Sequence, residues 1–280
     1  MTTNFEIRYA AHYNDVKHYD TEKLREHFLV TNLFSKDSIN MVYSHYDRII
    51  VGGIYPVNEP VILKTIDPLR SENFLDRREI GIYNIGGKGK IHVDGEMYEL
   101  DFKESLYIGK GKKEIIFESF NDHNPAKFYF NSSPAHLNFP TRKITKSQAQ
   151  IAELGSNQTA NHRFVNKMLV NQVLPTCQLQ MGMTELTSGN VWNTMPPHIH
   201  DRRMEVYFYF EIPEDQQICH FMGQPHETRH IWMANEQAVI SPDWSIHSAC
   251  ATHNYTFIWG MAGENIDYGD MDAVEPKNLL

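Results

Sequence analysis

Residues 196–210 read PPHIHDRRMEVYFYF, and this stretch decides how the chain around it folds. The proline pair fixes an extended entry. Side chains two positions apart on an extended chain point to one face, so His198 and His200 face the same way. Residues 204–210 are aromatic and apolar, which predicts a buried strand. Glu205 would be an uncompensated charge in that strand, and a divalent metal bound by both imidazoles and this carboxylate would compensate it.

A third histidine, His247, completes the predicted metal site. It follows an apolar strand at residues 238–240 and a turn that contains Pro242. Three neutral histidines and one carboxylate leave a net positive metal with room for water or substrate, which is typical of a catalytic site. A histidine pair alone is a weak signal, because the chain has 15 histidines. The order of the four residues, however, resembles the order of metal ligands in cupin barrels.

The composition is typical of a soluble globular protein and argues against several function classes. The 280 residues carry a formal net charge of −9, which argues against a nucleic-acid partner. Apolar runs fall short of the ~20 residues that a membrane span needs, and the first residues lack the pattern of a secretory signal. The three cysteines, Cys177, Cys219 and Cys250, are odd in number and widely spaced, which favours a reducing cytoplasm.

Short apolar segments separated by turn residues dominate the chain from residue 39 onward. Gly86-Gly87 and Asp94-Gly95 are turn signals, and many short strands with such turns predict an all-β barrel or sandwich. Residues 15–35 differ, because they have the caps and the apolar stripe of a helix.

The two halves of the β region resemble each other, which predicts an internal repeat. Three pairs of segments match in order: residues 76–83 with 201–207, 104–109 with 236–241, and 127–130 with 255–258. Their separations of 125, 132 and 128 residues agree within a few positions. We therefore predict an all-β fold of two barrels in tandem. Its predicted parts are an N-terminal segment with a short helix over 1–38, a first barrel over 39–135, a mixed connector over 136–175 and a second barrel over 176–280.

The metal-binding pattern is confined to the second half. Positions opposite the three histidines hold Asn73, Leu75 and Ile115, and Glu79 alone survives of the four ligand types. We therefore expect the first barrel to bind no metal and to serve in packing, assembly or substrate enclosure.

The longest motifs resemble one known family, the 5-keto-4-deoxyuronate isomerases, also called 4-deoxy-L-threo-5-hexosulose-uronate ketol-isomerases. The resemblance rests on residues 41–53, 197–210 and 241–247 and extends along nearly the whole chain. It implies a bicupin fold, a hexamer, and a place in the bacterial breakdown of pectin and other uronate polysaccharides. Carried over by motif, four residues bind one zinc ion per subunit: His198, His200, Glu205 and His247.

The resemblance implies an aldose–ketose isomerisation of a small uronate. An open-chain 5-keto-4-deoxyuronate would become 3-deoxy-D-glycero-2,5-hexodiulosonate, with one proton leaving C2 and one reaching C1. A metal at the C1 and C2 oxygens stabilises the developing charge, and a base must reach C2. Glu185, in a strand upstream of the ligands, is either this base or a solvated carboxylate at a strand end. Tyr207, on the strand face of Glu205, is either a donor to a substrate oxygen or a core residue.

The carboxylate of such a substrate predicts an arginine contact, because a guanidinium matches a carboxylate in shape and charge. Three arginines lie near the predicted ligands in the sequence: Arg202, Arg203 and Arg229. The alternative for each is an ion pair at the surface or at an interface.

Three other functions fit parts of the pattern. An Fe(II) or Mn(II) cupin dioxygenase would use the same ligand types, but it would need oxygen. A sugar-binding or regulatory cupin would retain metal without turnover, although an intact set of four ligands argues against it. A sugar-phosphate isomerase is disfavoured, because the sequence shows no glycine-rich loop for phosphate.

Overall fold

Strands dominate the computed structural model, which describes residues 2–264 and 268–280. Within these residues, the α-helices are α1, Tyr13–Val16, and α2, Thr21–Phe28. The strands, in chain order, are β1 Thr2–Arg8, β2 Leu29–Val30, β3 Ser38–Ser44, β4 Ile50–Tyr55, β5 Val61–Ile62, β6 Arg78–Asn84, β7 Gly89–Val93, β8 Glu96–Leu100, β9 Ser105–Ile108, β10 Ile115–Ser119, β11 Phe128–Pro134, β12 Arg142–Ile144, β13 Gln150–Leu154, β14 Arg163–Leu169, β15 Gln180–Leu186, β16 Trp192–Asn193, β17 His198–Ile199, β18 Arg203–Phe210, β19 Ile218–Gln224, β20 Glu227–Met233, β21 Gln237–Ser241, β22 Ser248–Ala251, β23 Thr256–Gly263 and β24 Asp272–Ala273. Short 3-10 helices span Asp67–Leu69, Lys146–Gln148, Asn157–Thr159 and Pro276–Asn278.

The first of two compact units contains strand β1 together with Asn32–Ala149 and Met168–Gln180. Hydrogen bonds join its strands into a seven-stranded sheet, in the order β1-β3-β4-β11-β6-β9-β12, and a four-stranded sheet, in the order β5-β10-β7-β8. Apolar side chains from both sheets form one buried core, for example Ile82 and Phe130 from the larger sheet and Phe117 from the smaller. Burial of these side chains is the main favourable contribution to the fold.

The second compact unit contains Tyr9–Thr31, Gln150–Lys167 and Met181–Leu280. Its seven-stranded sheet has the order β13-β14-β15-β23-β18-β21-β2, and its four-stranded sheet has the order β16-β22-β19-β20. Each strand of these two sheets occupies the position of a counterpart in the first unit, which confirms the predicted internal repeat and the all-β fold class. A separate two-stranded sheet, β17-β24, belongs to the second unit alone. As far as the described residues go, hydrogen bonds in each unit define separate sheets and not one closed barrel.

The helix predicted over residues 15–35 is shorter and interrupted. The side chain of Asp20 caps α2 by accepting a hydrogen bond from the Lys23 amide, and Leu24 and Phe28 are its buried residues, as the apolar stripe predicts. The helix ends at Phe28, because the next two residues form β2 and pair with β21. The predicted N-terminal segment contributes to both units, since β1 pairs in parallel with β3 of the first.

The segment predicted as a connector, 136–175, contains regular strands. Strand β12 pairs with β9 in the first unit, whereas β13 and β14 form an antiparallel pair in the seven-stranded sheet of the second. In the described part of the chain, no helix combines the length and the apolar character that crossing a membrane requires.

Candidate metal centre

Four side chains of the second unit converge near the starts of three strands. His198 is the first residue of β17, Glu205 lies on β18, and His247 directly precedes β22. His200 lies between β17 and β18. One ligand atom from each residue lies within 4.8 Å of all the others. The structure thus brings together the four residues that the sequence predicts as metal ligands.

The separations match those of ligands around one ion. Glu205 Oε2 lies 3.1 Å from His200 Nε2 and 2.8 Å from His247 Nε2. His198 Nε2 lies 2.8 Å from His247 Nε2. Two ligands at right angles, each about 2.1 Å from an ion, are about 3.0 Å apart. Three imidazoles and a carboxylate at this spacing could therefore hold a divalent transition metal.

Burial sets the protonation of the group. Burial lowers the pKa of both His198 and His247, so both imidazoles are neutral at neutral pH, as metal binding requires. Burial also raises the pKa of Glu205, but the neighbouring His247 and His200 outweigh this effect and hold that pKa below its ordinary value. The site therefore offers the neutral imidazoles of His198 and His247 and the ionised carboxylate of Glu205.

Residues 268–273, which we call the C-terminal segment, position two side chains of the cluster, His198 and His200. Strand β24 pairs with β17, the strand that carries His198. His200 Nδ1 lies 3.0 Å from the backbone oxygen of Asp270, and Arg203 donates from Nη2 to the backbone oxygens of Tyr268 and Asp270, each at 3.1 Å. Arg203 Nε also approaches His200 Nδ1, at 3.3 Å. We assign the proton to Nδ1 because the Asp270 oxygen is closer, and Nε2 then faces the ligand cluster.

A cavity of about 310 Å³ opens onto the ligand cluster. His198, His200 and Glu205 line it, together with an aromatic wall that includes Trp259 and Tyr268. This volume lies at the lower end of the range for small-molecule sites, roughly 300–1,000 Å³. The cavity therefore suits a ligand of monosaccharide size beside a metal.

Tyr207 lies in this cavity, as its strand parity with Glu205 predicts. Its hydroxyl is 2.9 Å from the Thr194 hydroxyl, and its ring centroid is 5.3 Å from that of His247. Burial raises the pKa of Tyr207 well above its ordinary value, so the phenol keeps its proton and can donate it in a hydrogen bond.

Glu185 points the other way. Thr184 lines the cavity, and the next residue on a strand faces the opposite side of the sheet. There the Glu185 carboxylate accepts a hydrogen bond from the Asn166 amide at 3.0 Å. The structure thus does not bring this predicted base to the cavity.

The three predicted arginines have different positions. Arg203 is buried and lines the cavity, whereas Arg202 is half-exposed and donates to the Asp270 carboxylate at 2.9 Å. Arg229 lines a separate small pocket, 3.1 Å from a Glu227 oxygen, and it donates to the backbone oxygen of Lys17. Among the three, Arg203 alone lies beside the cluster of three histidines and Glu205.

Two cations that the sequence did not single out line the same cavity, Arg163 and Lys167. Both belong to β14, within the segment predicted as a connector. The alternation of that strand is the signal that could have found them, because residues 163, 165 and 167 share one face.

Family comparison supplies an independent finding. The model of the KduI/IolB family matches residues 28–275, which is most of the chain. The chain belongs to the KduI/IolB family. A 4-deoxy-L-threo-5-hexosulose-uronate ketol-isomerase 1 from Bacteroides thetaiotaomicron is 63% identical, over 97% of this chain and 97% of its own length. An Escherichia coli protein named 4-deoxy-L-threo-5-hexosulose-uronate ketol-isomerase is 54% identical, over 98% and 99%.

Solved structures support the fold. An IolB-like protein from Salmonella typhimurium matches with a TM-score of 0.66 at 14% identity, covering 81% of this chain and 87% of its own. The oxalate decarboxylase of Bacillus subtilis matches with a TM-score of 0.55 at 7% identity, covering 81% and 71%. At such identities the likeness shows the fold alone, and it confirms the predicted cupin type of this family member.

The first unit keeps a carboxylate where the second has Glu205. Glu79 lies opposite Ser133 on β11, one residue before Ile80, which pairs with Ile108. Glu205 has the equivalent position in the second unit. It lies opposite Met261 on β23, and the next residue, Val206, pairs with Ile240. The two glutamates are therefore register equivalents, and the 132-residue and 128-residue offsets predicted for their partner strands are the observed ones.

Glu79 has a different set of neighbours from Glu205. Its oxygens accept hydrogen bonds from the Tyr107 hydroxyl at 2.6 Å and the Ser133 hydroxyl at 3.2 Å. They also accept from the backbone amides of residues 177, 178 and 179 at 2.8, 2.7 and 2.8 Å. At the positions predicted opposite two of the histidines, Leu75 and Ile115 are buried in the core. In the first unit this carboxylate fastens a chain segment to the sheet.

Proposed function

We propose that this protein isomerises 5-dehydro-4-deoxy-D-glucuronate, the 4-deoxy-L-threo-5-hexosulose uronate, to 3-deoxy-D-glycero-2,5-hexodiulosonate in the breakdown of pectin and related uronates. The observation that carries this proposal is the cluster of three histidines and one glutamate, three of which, His198, His200 and Glu205, line a cavity of monosaccharide size. Relatives that are 54–63% identical over nearly their whole length carry the name of this ketol-isomerase.

The proposed ligands of one zinc ion per chain are the four clustered residues, His198, His200, Glu205 and His247. Their three imidazoles, single carboxylate and spacing support this assignment. Zinc, when bound, would supply Lewis-acid stabilisation of the negative charge that develops on the C1 and C2 oxygens of the substrate.

The chain itself contributes orientation and hydrogen bonding. We assign Tyr207 the role of donor to a substrate oxygen, because its phenol keeps its proton and faces the cavity beside His247. Arg203 holds the backbone oxygens of residues 268 and 270, so its proposed role is to keep His200 in place. Glu185, Arg202 and Arg229 are not retained in catalytic or substrate-binding roles, since their side chains lie elsewhere.

Apolar side chains on the outermost strand of each large sheet support the proposed hexamer. Phe5 and Ile7 on β1 are exposed and share a strand face, and Ile151 on β13 is exposed too; exposed apolar surface of this kind can mark an interface. The proposed location is the cytoplasm, which fits three cysteines that are all free thiols.

An anaerobic NMR assay tests the proposal. Unsaturated galacturonate, which opens to the 5-keto-4-deoxyuronate, is supplied to zinc-loaded protein, and the 2,5-diketo acid is followed over time. The expected result is full conversion without oxygen. Absence of conversion by folded, zinc-loaded protein would refute the isomerase, and conversion only in the presence of oxygen would indicate a dioxygenase.

A further inference from the structure

We propose that Arg163 and Lys167 form the subsite that binds the carboxylate of the substrate. Both side chains line the cavity that also contains His198 and Glu205. The inference rests on the proposed function, since that function places a monocarboxylic sugar acid in this cavity. It assigns the carboxylate to two residues outside the metal cluster.

The geometry of β14 places both cations on the side of the strand that faces the cavity. Arg163 and Lys167 are the first and fifth residues of β14, and even spacing on a strand puts them on one face. Val165, between them, lines the cavity too, which agrees with that parity. The face therefore presents two positive charges along one side of the cavity.

The local contacts hold both cations without neutralising them. Arg163 Nη1 donates to the backbone oxygen of Asn161 at 2.8 Å, and Lys167 Nζ lies 4.2 Å above the ring of Tyr268. Within residues 2–264 and 268–280, neither side chain has a carboxylate within ion-pair distance. Burial lowers the pKa of both groups, as expected for cations in a partly dry wall. An anionic ligand would offset this cost of desolvation.

The chemistry of the substrate has the matching layout. The reacting C1 and C2 oxygens lie at one end of a six-carbon acid, and the carboxylate is C6 at the other end. With the reacting end at His198 and Glu205, the carboxylate must be placed elsewhere in the cavity. A guanidinium fork and an ammonium are the usual partners of a carboxylate.

The test is a cross between enzyme variants and a pair of substrates. The uronate is compared with its neutral analogue, in which C6 is a primary alcohol, for wild type, Arg163→Gln and Lys167→Met. Lys90→Met is the matched control, because Lys90 also lies on a strand with its ammonium over a ring, that of Phe120, in the first unit. Zinc content and far-UV circular dichroism are measured for every variant.

The expected result is a loss of discrimination between the two substrates. Each site variant should lose about 10- to 100-fold in kcat/KM for the uronate, mainly through KM, because a hydrogen bond to a charged group is lost. Turnover of the neutral analogue should stay nearly unchanged, and Lys90→Met should behave as wild type. Equal losses on both substrates, or no loss on the uronate, would overturn the subsite.

Two further arms keep the inference testable. If Arg163→Gln folds poorly, Arg163→Lys replaces it in the comparison. Arg163→Lys retains the positive charge without the guanidinium fork, so its kcat/KM for the uronate should fall less than that of Arg163→Gln. If wild type fails to convert the uronate, the proposed function is refuted, and the subsite is then tested with D-galacturonate and D-galactose by calorimetry. Tighter binding of the acid that disappears in Lys167→Met would support the subsite, and equal binding of both sugars would overturn it.

Discussion

Replacing Glu79 by alanine should destabilise the first unit strongly. The change removes the acceptor for three backbone amides, those of residues 177–179, and for the hydroxyls of Tyr107 and Ser133. A buried donor without a partner costs about 1–3 kcal/mol. The hydroxyls can turn and water can enter the space left by the side chain, so the sum is reduced. We expect a loss of roughly 3–5 kcal/mol in the free energy of unfolding, the range for breaking a buried charged interaction.

The assay is urea unfolding followed by two probes. All four tryptophans, Trp192, Trp232, Trp244 and Trp259, lie in the second unit, so their fluorescence reports that unit, whereas far-UV circular dichroism reports both. For Glu79→Ala, the dichroism midpoint should fall by about 1 M urea or more. A fluorescence midpoint that falls with it would mean that both units unfold together.

Glu79→Gln is the matched comparison. The amide oxygen can still accept from Ser133 and from the backbone amides of residues 178 and 179, whereas its NH2 group would face the amide of residue 177. We expect a smaller loss, roughly 1–3 kcal/mol. An alanine variant within about 1 kcal/mol of wild type would refute the reasoning that this carboxylate fastens the segment.

Three further changes test the second unit. Arg203→Met should release the backbone oxygens of residues 268 and 270 and weaken metal binding by about 10- to 100-fold, measured by competition with a chromophoric chelator; unchanged affinity would contradict the positioning role. Burial lowers the pKa of His220 to about 3, below its ordinary value of about 6.5, so the unfolded chain takes up a proton that the folded chain does not between these values. The free energy of unfolding should thus decrease as the pH is lowered through this window, by up to about 1.4 kcal/mol per pH unit for this group. His220→Gln should flatten that slope in urea titrations of metal-free protein, and an unchanged slope would count against the role of His220. Gly182→Ala would bring a Cβ within 2.0 Å of the Trp259 ring, so tryptophan fluorescence should shift and kcat/KM should fall, and a variant with wild-type values would show that the ring has room.

The sequence predicted the metal cluster because its signals are local. The spacing of His198 and His200 and the apolar run around Glu205 read directly as strand parity. His247 was predicted from the apolar strand and the Pro242 turn that precede it, in an order that resembles the ligand order of cupin barrels. The offsets of two repeat segments also equal the observed strand register, since side-chain alternation allows no slip of one residue where a face is buried. The third segment is one residue off, because Glu79 and Glu205 are 126 positions apart.

Other parts of the site carry no such signal. The C-terminal segment contacts His200 and Arg203 through backbone oxygens. Because every residue has a backbone oxygen, the sequence of this segment does not predict the contacts. Arg163 and Lys167 lie on β14 in a polar segment of the chain, and a polar composition is also typical of a loop. The predicted helix was wrong from Leu29 onward, where pairing with β21 outweighs helix propensity.

Activity as a function of bound metal tests the central claim most directly. Protein stripped with a chelator, then reloaded with zinc in steps, is assayed anaerobically on the uronate by NMR, with His247→Ala beside it. We predict no conversion by stripped protein, full recovery at one zinc ion per chain, and neither metal nor activity in folded His247→Ala. Full conversion by protein without bound metal, or by the His247→Ala variant, would contradict isomerisation at this four-ligand centre.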